Sequence, residues 1–348
     1  MNCHRFARMG ALWIVLLSVL WMGGLLSARA ADQKPNLKKY SAALSYVKKE
    51  QPEELNLGSV TFSPAQLLSI LNAMPDGGSL HFSTVWNNCA FTDASKSIDL
   101  RKISKTPARA DLEAIAALCR QCKTINLCGD HAPSAQVTTA LAAQYPDIRF
   151  AWNVRLGRTR YQLSSLASAY STYRKNYPDT VTEKDMEALK YCPDMKALDV
   201  GHNEIKKLNF LHHVPDLEML ILADNPIKDI TPLGGLEHLQ YLELFSTQVT
   251  DLTPLANCKE LLDLNIAYTS ITSLKPLDDL PNLERLWAIH CNKLPKAEIN
   301  RFKATHPNCQ VNFGGSAWQW RDHPRYTHYR WCLKHGRWIP FDQPLPSN

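Results

Sequence analysis

From Met195 to Pro295 the apolar positions recur every 22 residues. Leu198, Leu220, Leu242, Leu264 and Leu286 form one column. Two residues on, Val200, Leu222, Leu244, Ile266 and Ala288 form a second, and Asn203, Asn225, Thr247, Thr269 and Cys291 a third. In a short strand the two apolar residues of such an L-x-L core point to one face, so they bury together while the residue between them faces outward. The second half of each unit is spaced differently, as in Ile227, Ile230, Leu233 and Leu236, with Pro232-Leu233, Pro254-Leu255 and Pro276-Leu277 recurring inside it. Apolar residues about three apart predict a helical or 3₁₀ return. One such unit cannot bury its leucines alone, whereas stacked units can. Asn203 and Asn225 are expected to satisfy backbone groups left unpaired at the turn, and Thr247, Thr269 and Cys291 to do so more weakly.

Less regular units precede these. Leu80-His81-Phe82, Ile98-Asp99-Leu100, Ile125-Asn126-Leu127 and Phe150-Ala151-Trp152 read as strand cores, with helices expected over Asp111 to Arg120 and Ser134 to Tyr145. Between Val154 and Thr182 the register is lost, and Tyr161 to Tyr177 reads as an inserted helical pair or one degenerate unit.

The motif Leu239-Gln-Tyr-Leu242-Glu-Leu244, followed by Val249-Thr-Asp-Leu252-Thr-Pro254-Leu255, resembles the repeats of internalin-type bacterial leucine-rich repeat proteins. The resemblance implies an α/β leucine-rich repeat solenoid with a curved parallel sheet and a helical or 3₁₀ convex side. It also implies an extracellular protein-binding role. On this reading the chain divides into a secretory signal peptide (1–30), a polar linker or N-terminal cap (31–57), irregular repeats (58–182), regular repeats (183–313) and an aromatic, basic C-terminal cap or tail (314–348).

The first segment carries His4, Arg5 and Arg8, an apolar stretch from Ala11 to Leu26, and Ala28-Arg29-Ala30, the pattern of a cleavable export signal. No stable membrane insertion is expected after cleavage, and the tail ending Pro344-Leu345-Pro346-Ser347-Asn348 has no anchoring segment. The protein is therefore expected to be secreted or held at the cell surface. Losing three leader arginines takes the formal charge from +6 to +3, 36 basic against 33 acidic residues, which argues against a nucleic-acid partner.

Of ten cysteines, nine remain after the leader. Cys192 and Cys258 fall in an aliphatic column with Val214, Leu236 and Leu280, and Cys119-x-x-Cys122 aligns with core positions. These are read as buried free thiols in preference to a redox or zinc pair.

Outward positions of the predicted sheet place Tyr241, Glu243, Phe245, Asp263, Tyr268, Trp287 and Asp224 together on the concave face of the last regular repeats. Aromatics flanked by charge are the composition of interface anchors, so these residues are the candidate site for a protein ligand. On that reading Trp287→Ala should weaken binding and leave folding nearly intact. The segment from Trp318 to Trp338 holds Trp320, Tyr326, Tyr329 and Trp331 among Arg321, Arg325, Arg330, Lys334 and Arg337. It reads as a cap over the open end of the solenoid or as an element stacking on cell-wall carbohydrate. His323, His328, Cys332 and His335 match no zinc pattern, and no metal or other cofactor is expected. Nucleophile elbows, metalloprotease helices and phosphate loops are all missing from the sequence, so a secreted hydrolase is the weaker alternative and no catalytic residue is nominated.

Overall fold

The computed structural model describes residues 36–157, 162–173, 180–315 and 317–346. The signal-peptide reading of residues 1–30 lies outside them, as do parts of the stretch between Tyr161 and Tyr177. The chain forms two compact units, one of residues up to Thr124 with Gln144–Ile148, the other of Ile125–Ala143 with Arg149 onward.

In the first unit, helix α1 (Tyr40–Glu50) leads into strand β1 (Glu54–Val60), helix α2 (Pro64–Leu71) and strand β2 (Ser79–Trp86). β1 and β2 pair in parallel, and β3 (Cys89–Thr92) adds an antiparallel edge. The start of α2 is set locally. Ser63 accepts from the Gln66 amide, Gln66 returns a bond to the Ser63 amide, and Pro64 occupies a first-turn position that needs no N–H. Strand β4 (Ser97–Asp99) and helix α3 (Arg109–Leu118) complete the unit. The stretch expected to be a polar linker or N-terminal cap contains helix α1 and the start of β1. Its alternating Leu55, Leu57 and Val60 are buried, a short apolar pattern hidden by the surrounding lysine and glutamate.

The second unit takes in strand β5 (Thr124–Asn126), helix α4 (Ala135–Gln144), strand β6 (Arg149–Ala151) and the hairpin of β7 (Asn153–Arg155) with β8 (Gln162–Ser164). Then comes a seven-stranded, wholly parallel sheet: β9 (Ala169–Ser171), β10 (Ala197–Asp199), β11 (Met219–Ile221), β12 (Tyr241–Glu243), β13 (Asp263–Asn265), β14 (Arg285–Trp287) and β15 (Gln310–Asn312). Leu198, Leu220, Leu242, Leu264 and Leu286 stand opposite one another from strand to strand, and each is fully buried. β9 resolves the stretch of lost register. Its Tyr170 pairs with Leu198, so the described part of that stretch is a degenerate repeat and not a helical pair.

The returns are 3₁₀ turns at Asn209–His213, Thr231–Gly235, Thr253–Asn257 and Lys275–Leu277, followed by helix α5 (Lys296–Thr305) after the last regular unit. Pro232, Pro254 and Pro276 sit at the turn starts, where a missing N–H breaks no bond, and Leu233, Leu255 and Leu277 point inward. The asparagine column behaves as its chemistry requires. Asn225 Nδ2 donates to the Val200, Leu222 and Ala223 carbonyls while Oδ1 accepts from the Ile205 amide. Thr247 and Thr269 each reach one carbonyl, that of Leu244 and Ile266 respectively. Cys119, Cys122, Cys192 and Cys258 are buried free thiols, and burial pushes Cys258 up to about 11 and Cys192 to about 12.

Candidate functional site

After β15 the chain makes a 3₁₀ turn (Ala317–Asp322), helix α6 (Pro324–His335) and a tail, and these lie along the concave face of the sheet. Pro324 at the first turn starts the helix, and Gly336 at φ 66° ends it. Tyr329, Cys332 and Leu333, spaced as one helical stripe, face inward. Trp320, Tyr329 and Trp338 pack with Ala197, Met219, Ile221, Tyr241 and Trp287 into a second core on the side of the sheet opposite the leucines.

Polar contacts fix the register of this segment. At one end Arg325 donates from Nε to Asp263 Oδ2 at 2.6 Å and from an Nη to Glu284 at 2.6 Å, while Arg285 Nε meets Asp263 Oδ1 at 2.5 Å. At the other, the Trp338 amide donates to Ser168 Oγ at 2.8 Å, its indole to Glu218 at 2.7 Å, and the Ser168 amide to the Gly336 carbonyl at 3.2 Å. In the middle, Glu243 Oε1 accepts from Tyr241 Oη at 2.5 Å, Trp320 Nε1 at 2.8 Å and Tyr329 Oη at 3.1 Å. The Trp320 indole also contacts the Tyr241 hydroxyl. Burial raises the Glu243 carboxyl above its usual range, and only part of that rise is offset by these donors.

This packing divides the seven residues expected to form an open patch. Tyr241, Asp263 and Trp287 are buried beneath the C-terminal segment, and Glu243 is half-buried. The first three are not an accessible surface, because strand alternation reports which side of a sheet a residue faces and not what else packs on that side. Phe245 is half-buried and packs against the edge of this second core, while Tyr268 and Asp224 are exposed. Those two belong to the rim where the strands end, a row of His202, Asp224, Ser246, Tyr268 and His290 that all take left-handed backbone with φ of 54° to 60°. The turns at His202, Asp224, Ser246 and Tyr268 are each held by an amide bond to the next repeat, such as the Tyr268 amide to the Ile289 carbonyl at 2.9 Å. Such φ values are uncommon for residues other than glycine, and a bulky ring there carries a strain cost.

Side chains along the rim touch in two groups. Tyr173 meets His202 at 5.6 Å in a tilted pair, and His202 Nδ1 is 2.9 Å from Asp224; Phe245 meets Tyr268 at 5.2 Å, and Tyr268 meets His290 at 4.5 Å. Tyr268 is 46% exposed and Tyr173 44%, the two largest exposed aromatics among the described residues. His202 and His290 stood in the same sequence column as Asp224 and Tyr268, and Tyr173 had no column because its repeat is degenerate.

Between this rim and the C-terminal segment is a polar cleft of about 210 Å³, with Asp199 and Glu243 in its floor and Arg321, Tyr326 and Arg330 on the helix side. Asp199 accepts from Ser171 Oγ at 2.7 Å and the Gly201 amide at 3.1 Å. Burial raises its carboxyl, and the nearby Arg330 charge opposes that rise. The histidines once weighed as metal ligands have separate protein partners: His328 contacts the Ile339 carbonyl at 2.8 Å and His335 the Trp331 carbonyl at 2.8 Å. No group of three or more metal-ligating side chains converges among the described residues.

Residues 215–257 match the family model described as Leucine Rich repeats (2 copies). Comparison with curated proteins finds no significant sequence match. Similar solved structures include an internalin C2 from Listeria monocytogenes, 24% identical, with TM-score 0.32 over 43% of this chain and 74% of that one. An internalin, inlF, from the same species is 13% identical with TM-score 0.35, covering 74% of this chain and 65% of its own length. A leucine-rich repeat protein of Leptospira interrogans is 17% identical with TM-score 0.40, covering 74% of this chain and 71% of that one. The matched repeats and the parallel strands that continue their register give this part of the chain a leucine-rich repeat fold, with regular units similar in length and motif to those of internalins.

Proposed function

We propose that this is an exported recognition protein that binds a protein ligand along the rim of its repeat array, with no catalytic role. The observation that carries the reading is the run of exposed Tyr173, His202, Asp224, Tyr268 and His290 along one edge of the sheet, with half-buried Phe245 packed beside Tyr268, which brings aromatic rings and charge together. Single exposed apolar residues need no explanation, whereas large rings gathered in a row are what interfaces use as anchors. Repeat arrays are suited to this because each turn adds one more contact position at a fixed spacing. Export is supported by the basic, apolar and small-residue order of residues 1–30. No helix among the described residues is long and apolar enough to cross a membrane. The carbohydrate alternative loses support because Trp320, Tyr329 and Trp338 are committed to packing on the sheet.

The test is affinity capture from surface and secreted fractions with residues 31–348, beside a folded Tyr173→Ala, Tyr268→Ala, His290→Ala variant. A ligand captured by the wild type and lost by the variant supports the rim. Equal capture by both rejects it.

A further inference from the structure

We infer that the cleft between the rim and helix α6 is a binding site for a small zwitterion of the α-amino-acid class. The walls supply both halves of such a ligand's recognition. On the floor, Glu243 gathers its three hydrogen bonds at Oε1, leaving Oε2 without a donor among the described residues, and Asp199 lies beside it. An ammonium group is the donor that Oε2 lacks. On the helix side Arg330 is exposed and has no hydrogen bond or ion pair among the described residues, and Arg321 stands next to it over the Tyr326 ring. A guanidinium fork matches a carboxylate, and charge-assisted bonds of this kind are the strong ones.

Size and lining narrow the class. About 210 Å³ is room for roughly seven waters at ~30 Å³ each. It lies below the roughly 300–1,000 Å³ typical of cofactor and drug-sized pockets. Ile221 and Ala223 supply a short apolar strip for an aliphatic side chain. A simple anion would leave the floor carboxylates facing its charge, and a simple cation would face two arginines. Only a ligand with both signs a few ångströms apart satisfies both walls. Tyr173 and His202 of the rim also line the cleft, but the charged groups argued here, Asp199, Glu243 and Arg330, are not rim residues, so failure of the rim to capture a protein leaves this inference standing, and the reverse also holds.

The test is isothermal titration calorimetry of residues 31–348 with glycine, L-alanine and L-valine, beside propionate and ethylamine, each of which keeps one of the two charges. Saturable binding of a zwitterion is expected at concentrations where neither single-charge compound binds, and Arg330→Ala should weaken it by about tenfold or more. Arg330 makes no described contact that folding depends on, and an unchanged melting temperature would verify this. Asp199→Asn, which keeps an Oδ1 acceptor for the Gly201 amide and can donate from Nδ2 to Ser171 Oγ, is expected to weaken it as well. Propionate or ethylamine binding as well as alanine would overturn the inference. So would no saturable heat from any of the three amino acids at millimolar concentration, or binding that Arg330→Ala leaves unchanged.

Discussion

Trp287→Ala distinguishes a ligand-binding tryptophan from a packing one. The ring is 3% exposed, packs edge-on against Trp320 at 5.2 Å and lies 5.7 Å from the Arg285 guanidinium. Truncating a buried Trp to Ala costs about 3–5 kcal/mol through lost transfer energy and the cavity left behind. One effect runs the other way, because the Trp287 indole N–H is buried without an acceptor among the described residues, and removing it relieves a cost of about 1–3 kcal/mol. The two effects together place the expected loss at about 2 kcal/mol. Equilibrium urea unfolding followed by far-UV circular dichroism measures it. A variant within about 0.5 kcal/mol of wild type, the range of ordinary surface substitutions, would refute the burial of this face.

Asn225→Ala should cost more than Thr247→Ala, since it strands several backbone partners, at about 1–3 kcal/mol for each buried group left unpaired, where the threonine loses one bond; paired urea titrations would show the order. The Glu298 carboxyl is held down to about 2, chiefly by its Arg301 hydrogen bond, so its stabilisation is full above the ordinary carboxylate range and lost as pH falls toward 2. Glu298→Gln should flatten the acid limb of a stability–pH curve, and an unchanged limb would count against the pair. Glu243 is shifted the other way, so its contribution is present at low pH and is lost as pH rises through its raised value; Glu243→Gln should remove that loss. Cys119, Cys192 and Cys258 should resist a thiol reagent in the native protein and react on unfolding, read by mass spectrometry of labelled peptides.

The repeat array was legible because its signal is periodic. Leu220 and Leu242 occupy the same place in successive units, and stacking converts a sequence column into a spatial one. Burial of Cys192 and Cys258 followed from the same alignment. Within the stretch read as a linker or N-terminal cap, the start of β1 was not legible, because Leu55 and Leu57 alone carry it there, a pattern too short to stand out. The largest difference is at the concave face. Arg325 meets Asp263 across 62 residues of chain, and Trp320 meets Tyr241 across 79. No local spacing encodes such pairs. The composition did signal that the C-terminal aromatics needed a place to pack, and the exposed aromatics of the sheet needed a cover. Shielding of the sheet aromatics by the C-terminal segment was one reading of the sequence, but which residues meet became visible only in three dimensions, and that moves the candidate surface from the centre of the sheet to its rim.

Hydrogen–deuterium exchange of the intact chain, resolved to peptides spanning Pro324–His335, tests most directly whether the repeat array carries its own cover. The account predicts that these amides exchange as slowly as those of strands Met219–Ile221 and Tyr241–Glu243, because helix and sheet share one buried core. Exchange of that helix at the rate of an unstructured segment, with the strands still protected, would contradict it and return Tyr241 and Trp287 to the open surface.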